Sequence, residues 1–414
     1  MKKATLLLLC GALTFCACHK DPVPEEPSKD EILSGDVVDV TAFPGSMKKL
    51  FVLNEGGMGS NNATLDFLRI SNGNYITGAF KKMNPGVLGG LGDVGNDIAV
   101  HGDQVWIVVN NSGLVEVLSA KDEKELVALA IPTPRNIAFD DKYAYVTSWA
   151  GAYATGSYDE NGNYTVTDSK NPKGRVYRIS LETLIIEGSI EVGYQPEGIA
   201  YYNGKLYVAN SGGISSQLPP NYAYDKTVSI IDAASFRVTR TVEVQVNLKN
   251  VYADGTGLIF VTSLGNYWDV HSGLYCFFAD DPRSPYLVGS GEDVAFREDY
   301  FHVSCSCLMG NTIYCIGTPD EFDWTSTHSY NVWCVKRSKE NPDNFEFGQY
   351  NMTLSGTPYG MAVVGDAGSD FPYLLVGDAG NYFEPGTVSF YHLGNSNKLW
   401  TVDAGVCPGH FAVY

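Results

Sequence analysis

The feature that most constrains the fold is a repeat that runs through most of the chain. One unit, residues 195–244, reads QPEGIAYYNGKLYVANSGG and, after a variable loop, KTVSIIDAASFRVTRTVEV. It predicts a short strand, a two-residue turn, a strand ending in Asn, the loop and two further strands. The same order returns at residues 95–131, 133–192, 247–278, 306–336 and 357–393. A spacing of roughly 40 to 60 residues is typical of four-stranded propeller blades.

The two ends of the chain complete the repeat. Residues 48–70, KKLFVLNEGG to ATLDFLRI, supply later strands of a blade without an opening strand, and CPGHFAVY at 407–414 is an opening strand with nothing after it. Pairing the two removes the exposed edges that an open repeat would leave. We therefore predict an all-β fold, a seven-bladed β-propeller with four-stranded blades, whose ring is closed by the N- and C-terminal strands.

Composition agrees with this fold and excludes one class of partner. The 414 residues include 44 Gly and 26 Tyr, and long runs with helical periodicity are hard to find. The opening strands share a small residue at one position, as a crowded axis requires. The residues are Ala99, Ala138, Ala200, Ala362 and Ala412. A net charge of −19 argues against nucleic acid as a partner, because counterion-driven binding needs a basic surface.

The N-terminus predicts export and a lipid anchor. MKK and the apolar ATLLLLCGALTF are too short to stay in a bilayer as a spanning helix, so residues 1–17 form a signal peptide. Cys18 resembles the acylated cysteine of bacterial lipoproteins, although Phe15 replaces the usual Leu. Cys16 is a rival site, and simple secretion with cleavage after Ala17 is the alternative. We expect outer-membrane anchoring, facing outward and through the lipid alone.

Domain boundaries follow from composition. Residues 18–45 are rich in Pro and acidic residues and predict an extended tether, which leaves residues 46–414 for the propeller. DENGNY at 159–164 resembles a calcium loop, but its Asn-Gly is better suited to a hairpin turn.

Metal sites are not indicated by the cysteines or histidines. Six cysteines follow Cys18, and no C-x-x-C pair occurs among them. The six cysteines could form a soft-metal site, or they could be small buried residues, with or without a disulfide. His271, His328 and His410 lack ligand spacing. We predict no metal and no catalytic cofactor.

The two faces of the predicted propeller differ in their loops. Turns between first and second strands are short and polar, for example HGDQ and YNGK, and we call their side the turn face. Loops between second and third strands, together with the between-blade segments, form the loop face. These are long and aromatic, for example LGNYWDVHSG at 264–273.

An aromatic rim with amide groups is suited to a large, partly flat ligand carrying many amides or hydroxyls. Packing of the long loops onto the propeller is the structural alternative for any one residue. The candidate ligand-binding residues are Asn54, Asn110, Arg135, Asn136, Trp149, Tyr153, Tyr194, Gln195, Asn210, Tyr222, Tyr267, Trp268, His271, Trp324, Tyr359, Tyr382, Phe383 and His410.

Catalytic motifs do not accompany these residues. The sequence contains no G-x-S-x-G elbow, no H-E-x-x-H and no phosphate loop, so we assign no catalytic residues. Propellers of similar repeat include lactonases and other hydrolases, and a hydrolase remains an alternative to a binding protein.

The repeat P-x-G-I-A, L-Y-V-A-N and V-S-I-I-D resembles the YncE-like seven-bladed propellers over roughly residues 48–414. With the leader and acidic tether, the chain is similar to the BtuG group of Bacteroides surface lipoproteins. That resemblance implies capture of cobalamin, as a bound ligand, for a TonB-dependent outer-membrane transporter. Glycan binding and protein interaction are the alternatives, because the shared residues build strands rather than the site.

Overall fold

The computed structural model describes residues 35–150, 156–158, 164–166, 173–212, 224–266, 270–281, 286–287, 302–318, 329–338, 345–365 and 372–414. Seven antiparallel sheets follow one another around a ring, and an eighth, two-stranded sheet lies within a loop. The predicted seven-bladed propeller is therefore confirmed. The leader and Cys18 lie outside the described residues.

Blades 1 to 3 each have four strands in sequence order, with the first strand innermost. Blade 1 consists of Gly95–His101, Gln104–Val109, Leu114–Ser119 and Glu125–Ala130. Blade 2 consists of Pro134–Phe139, Tyr143–Ser148, Arg175–Ser180 and Ile186–Glu191. Blade 3 consists of Pro196–Tyr202, Lys205–Asn210, Thr227–Asp232 and Arg237–Glu243. In the long loop of blade 2, Gly156–Tyr158 pairs with Tyr164–Val166, in agreement with the expected hairpin.

Blades 4 to 6 repeat this arrangement. Blade 4 consists of Leu248–Ala253, Leu258–Ser263, Gly273–Phe278 and the short Tyr286–Leu287. Blade 5 consists of His302–Met309, Thr312–Thr318, Tyr330–Arg337 and Phe345–Leu354. Blade 6 consists of Pro358–Val364, Tyr373–Asp378, Pro385–His392 and Asn397–Val406.

Blade 7 closes the ring with strands from both ends of the chain. Its innermost strand, Pro408–Val413, pairs with Lys49–Asn54 in antiparallel register, so that Phe51 lies opposite Ala412. Thr64–Arg69 and Asn74–Ile76 follow outward. The closure expected from the sequence is confirmed.

A fifth strand lies on the outer edge of blade 7. Asp36–Val37 pairs with Asn74–Ile76, and the following residues pack against blade 6. The ring of Phe43 is 6% exposed and stacks on Phe390 at 4.7 Å, and the Trp400 indole Nε1 donates a hydrogen bond to the carbonyl of Asp39. Contacts with the propeller thus begin about ten residues before the boundary at residue 46 that composition predicts, because Phe43 finds an apolar site between two blades.

The hydrophobic core lies between neighbouring blades and is built from large residues on the second strands. Trp106, Tyr145, Tyr207 and Phe260 are all fully buried. The recurring alanines lie opposite such residues: Ala99 faces Trp106, Ala138 faces Tyr145 and Ala200 faces Tyr207. A methyl group leaves room for the neighbouring ring on the same sheet face. The alanines of these innermost strands thus lie opposite large side chains of the second strands.

Helix is almost absent from the described residues. A single short helix, Ala79–Met83, connects blade 7 to blade 1 and buries Phe80 and Met83 in the core between them. None of the helical structure described is long and apolar enough to cross a membrane.

Candidate functional site

A pocket of about 610 Å³ occupies the axis of the propeller at its loop-face end. Glu55, Leu264, Ser272 and Tyr382 contribute to its lining from segments that follow second strands or precede third strands. Every innermost strand contributes as well. The pocket is therefore a property of the assembled ring, since no single blade encloses it.

Each innermost strand carries a β-bulge just after its first residues. In blade 1, Gly95 pairs with Val109 and Asp97 with Val108, which leaves Asn96 as the extra residue. Equivalent register shifts occur in the other six blades. A bulge re-aims side chains and breaks the regular alternation of a strand. Because the seven bulges occupy equivalent positions, their residues form two rings around the axis, at the loop-face end of the propeller.

The first ring consists of the bulged residues, and we call it the mouth ring. It contains Asn96, Arg135, Glu197, Lys249, Ser304, Tyr359 and Gly409. The next residue of each strand forms the inner ring. It contains Asp97, Asn136, Gly198, Asn250, Cys305, Gly360 and His410, all of which line the pocket.

The mouth ring is charged on one side of the axis. The Arg135 guanidinium forms an ion pair with Glu197 at 2.9 Å and lies 4.3 Å above the Trp149 ring. On the opposite side, the Tyr359 hydroxyl donates a short hydrogen bond to Glu55. Burial and the Glu55 carboxylate together raise the pKa of Tyr359 above its usual range, so Tyr359 remains a neutral donor.

The inner ring links adjacent blades through hydrogen bonds. The Asp97 carboxylate accepts bonds from the Ile137 backbone N–H at 2.9 Å and the Asn136 amide at 3.3 Å, and Asn250 donates to Ser306. Burial raises the pKa of Asp97 to about 6, although these donors oppose the rise. Gly360 is required by close approach, because a Cβ there would lie 2.1 Å from the Gly409 carbonyl oxygen.

His410 and Cys305 are both neutral in this ring. Burial, with Lys249 and Arg135 nearby, lowers the pKa of His410 to about 3. Burial raises the pKa of Cys305 to about 12, and its thiol lies 3.6 Å from the Pro358 carbonyl oxygen. A protonated buried thiol is a poor nucleophile. The pocket offers hydrogen-bonding groups rather than an activated nucleophile.

Four of the residues predicted from sequence line the pocket, namely Asn136, Tyr359, Tyr382 and His410. Tyr382 is 44% exposed and meets the Tyr359 ring edge to face at 5.9 Å. Phe383, beside it, is 86% exposed, and Tyr194 is 41% exposed on a between-blade segment. The structure thus provides an exposed aromatic group next to the polar rings.

Other predicted residues are buried and hold the fold together. Asn54 and Asn210 end second strands and Asn110 directly follows one, and their amides bond to a neighbouring strand or the next blade. The Gln195 side chain is buried, and its backbone carbonyl accepts bonds from Ser211. Trp149 is 7% exposed beneath Arg135, so that ring face is closed to a ligand. A polar side chain at the end of a strand is therefore not necessarily exposed to solvent.

The remaining predictions divide between described and undescribed parts. His271 is half-buried next to Ser272 of the pocket lining. Tyr153, Tyr222, Tyr267, Trp268 and Trp324 lie outside the described residues. Among the residues that are described, no cluster of three or more His, Cys, Asp or Glu side chains could hold a metal ion.

Several pocket residues were missed from the sequence. Lys249, Asn250, Asp97 and Glu55 all line the site. The available signal was the repeat itself: Lys249–Asn250 and Asn96–Asp97 occupy the same repeat positions as Arg135–Asn136, which the sequence did indicate.

No protein-family model and no curated protein matches the chain. Two similar solved structures share the fold. Hydrazine synthase from Kuenenia stuttgartiensis has a TM-score of 0.54 at 14% identity, covering 76% of this chain and 88% of that one. A functionally unknown protein from Desulfotomaculum acetoxidans has a TM-score of 0.55 at 12% identity, covering 88% and 98%. At such identities the likeness supports the propeller fold alone.

Proposed function

We propose that this protein captures a corrinoid such as cobalamin on its loop face and delivers it to a TonB-dependent outer-membrane transporter. The propeller fold is consistent with a ligand- or protein-binding role. The observation that supports corrinoid capture is the axial pocket, which places amides, hydroxyls and a neutral imidazole next to exposed Tyr382 and Phe383.

A corrinoid is complementary to this surface in shape and chemistry. Its macrocycle is broad and partly apolar, and its edge carries carboxamides that both donate and accept hydrogen bonds. In this proposal the ring lies across the mouth, against Tyr382 and Phe383, and edge groups reach Asn136, Asn250 and His410. Each hydrogen bond is modest, so affinity depends on many contacts and on the desolvated aromatic area. No coordination of cobalt by His410 is needed.

The direct test is calorimetric titration of purified residues 35–414 with cyanocobalamin. We expect saturable binding, with Tyr382→Ala and Phe383→Ala each weakening it by about 1 to 3 kcal/mol if they are anchors. Tyr201→Ala is the matched control, because Tyr201 is 36% exposed on the turn face and is expected to have no effect. Absence of cobalamin binding at millimolar ligand would overturn the proposal.

Glycan binding is the second candidate, favoured by the carboxylates of Glu55 and Asp97 in the pocket lining. Carboxylate oxygens accept hydrogen bonds from sugar hydroxyls, and aromatic faces pack against sugar rings. Parallel titration with neutral and acidic oligosaccharides distinguishes the two ligands. Clear glycan binding without cobalamin binding would make this a polysaccharide-capture protein.

The proposed location is the outer membrane, with acylated Cys18 as anchor and the exterior as the facing side. Cell fractionation of a Cys18→Ala variant is expected to move the protein from the membrane to the soluble fraction. Retention in the membrane would contradict the anchor. Co-purification of the acylated protein with a TonB-dependent transporter, in the presence of cobalamin, tests the proposed partner.

A further inference from the structure

The mouth ring contains one cation that its neighbours do not neutralise. Arg135 and Glu197 form an ion pair, with contacts of 2.9 and 3.0 Å. Lys249 follows them around the ring on the next blade and lines the pocket. Within the part of the chain that the structure describes, Lys249 forms no ion pair or side-chain hydrogen bond. The chain as a whole carries a net charge of −19, so the charge of Lys249 is opposite in sign to that of the protein.

Lys249 lies at the mouth of the axial pocket, and its charge acts on groups inside the pocket. It contributes to the lowered pKa of His410, which is on blade 7, and it opposes the rise in the pKa of Cys305 on blade 5. Lys249 is solvent-exposed and lines the pocket, so its ammonium group lies where the pocket opens to solvent. The walls of the pocket exclude part of the solvent, which strengthens its attraction for an anion.

Neutral hydrogen-bond donors lie near Lys249, and the carboxylates that line the pocket already accept hydrogen bonds from other residues. Asn250 and Ser304 lie on the same side of the pocket, and neither carries a charge. Glu55 accepts the Tyr359 hydroxyl, and Asp97 accepts backbone and amide donors. These two carboxylates repel an anion from the walls of blades 7 and 1. An anionic group is therefore favoured on the walls of blades 4 and 5.

We propose that Lys249 anchors an anion subsite in the axial pocket, which takes a phosphate or carboxylate group carried by the captured ligand. Asn250 and Ser304 supply additional donors to the same oxygens. This inference deepens the proposed function and rests on it for the ligand: in cobalamin, the group would be the phosphodiester of the nucleotide loop. The Arg135–Glu197 pair stays outside the subsite because each member satisfies the other.

The test compares two corrinoids that differ in the anionic group. Wild type, Lys249→Met and Lys249→Arg are titrated with cyanocobalamin and with dicyanocobinamide, which lacks the phosphodiester and nucleotide. We expect Lys249→Met to weaken cobalamin binding by about 10- to 100-fold, as for loss of a charge-assisted hydrogen bond, and to change cobinamide binding less than about twofold. Lys249→Arg retains most of the affinity, and added salt weakens cobalamin binding to wild type more than to Lys249→Met.

Lys142→Met is the matched control, because Lys142 is exposed on the turn face. Equal losses for both corrinoids in Lys249→Met, or no loss for either, would overturn the subsite while the proposed function stands. If wild type binds neither corrinoid, the proposed function fails and the same variants are titrated with oligogalacturonate and a neutral oligosaccharide. Binding of the acidic glycan that depends on Lys249 would then support the subsite, and binding of neither glycan would overturn it.

Discussion

Two groups of amide side chains lie at the loop-face end of the propeller: one group stabilises the fold, and the other lines the axial pocket. Asn54 and Asn210 end second strands, are fully buried and donate hydrogen bonds to the third strands of their own blades. Asn136 and Asn250 follow the bulges of innermost strands and line the axial pocket. The residue type and the end of the blade are the same. The bulge of the innermost strand, which the second strand lacks, decides which amide reaches the axial pocket.

The largest expected effect is a difference in the free energy of unfolding between a variant of a buried strand-end amide and a variant of a pocket amide. The Asn210 side chain accepts the Gly193 backbone N–H at 3.1 Å and donates to the hydroxyls of Thr227 and Ser229 at 3.0 Å. Asn210→Ala removes the hydrogen bonds that this side chain makes with the Gly193 N–H and the Ser229 hydroxyl, whereas Thr227 keeps its bond to Asp225. The substitution is therefore expected to lower the free energy of unfolding by about 3 kcal/mol. Asn250→Ala, on the pocket wall, is expected to cost less than about 1 kcal/mol. Denaturant unfolding measures both, and equal losses would break the comparison.

A second prediction extends the comparison to the N-terminal segment. Phe43→Ala removes the ring stacked on Phe390 and is expected to cost about 2 kcal/mol, less than for a central core residue because the segment can detach. Val37→Ala is the control, since Val37 is 76% exposed and its change is expected to stay within about 0.5 kcal/mol. Limited proteolysis of wild type should stop near residue 35. Rapid trimming of wild type to residue 45 would show that the segment is a free tether.

A third prediction concerns Glu116, whose buried carboxylate oxygen Oε2 has no hydrogen-bond partner of the kind that Asn210 has. Burial, with the neighbouring Glu125 carboxylate, raises the pKa of Glu116 to about 7. The folded protein therefore binds this proton more tightly than the unfolded chain, where the pKa is about 4.3. The resulting stabilisation is complete below pH of about 4 and is lost as the pH rises toward 7.

Glu116→Gln removes this titration. At pH 8 the variant is expected to exceed wild type in unfolding free energy by about 2 kcal/mol, and at pH 4 the two are expected to agree within about 0.5 kcal/mol. Thermal or urea unfolding at both pH values measures the difference. A variant that differs from wild type equally at pH 4 and pH 8 would show that Glu116 does not take up a proton on folding.

Much of the fold could be predicted from the repeat, because local sequence patterns indicate the order of the strands and the closure of the ring. The alternation of QPEGIAYY and KLYVAN, the turns between them and the unmatched ends specified seven blades. The short Asp36–Val37 strand was not foreseen, since two exposed residues in an acidic segment carry no strand pattern. Its position depends on Phe43 finding an apolar site between two blades.

The site was predicted less completely, and the errors have a common cause. Arg135, Asn136, Tyr359 and His410 were identified from between-blade segments, and the structure places them in the two axial rings. Asn110 and Gln195 were grouped with them, yet both are buried. A sequence shows that a polar residue ends a strand but not which way its side chain turns.

The sequence by itself determined the number of blades, the pairing of the two ends and the face that carries the long loops, because these follow from periodicity and chain order. Only the tertiary structure decided that Lys249, Asn250, Asp97 and His410 share one pocket. They come from blades 4, 1 and 7, and Asp97 and His410 lie 313 residues apart in the sequence. Ring closure brings them together, and the bulge in each innermost strand turns them toward the axis.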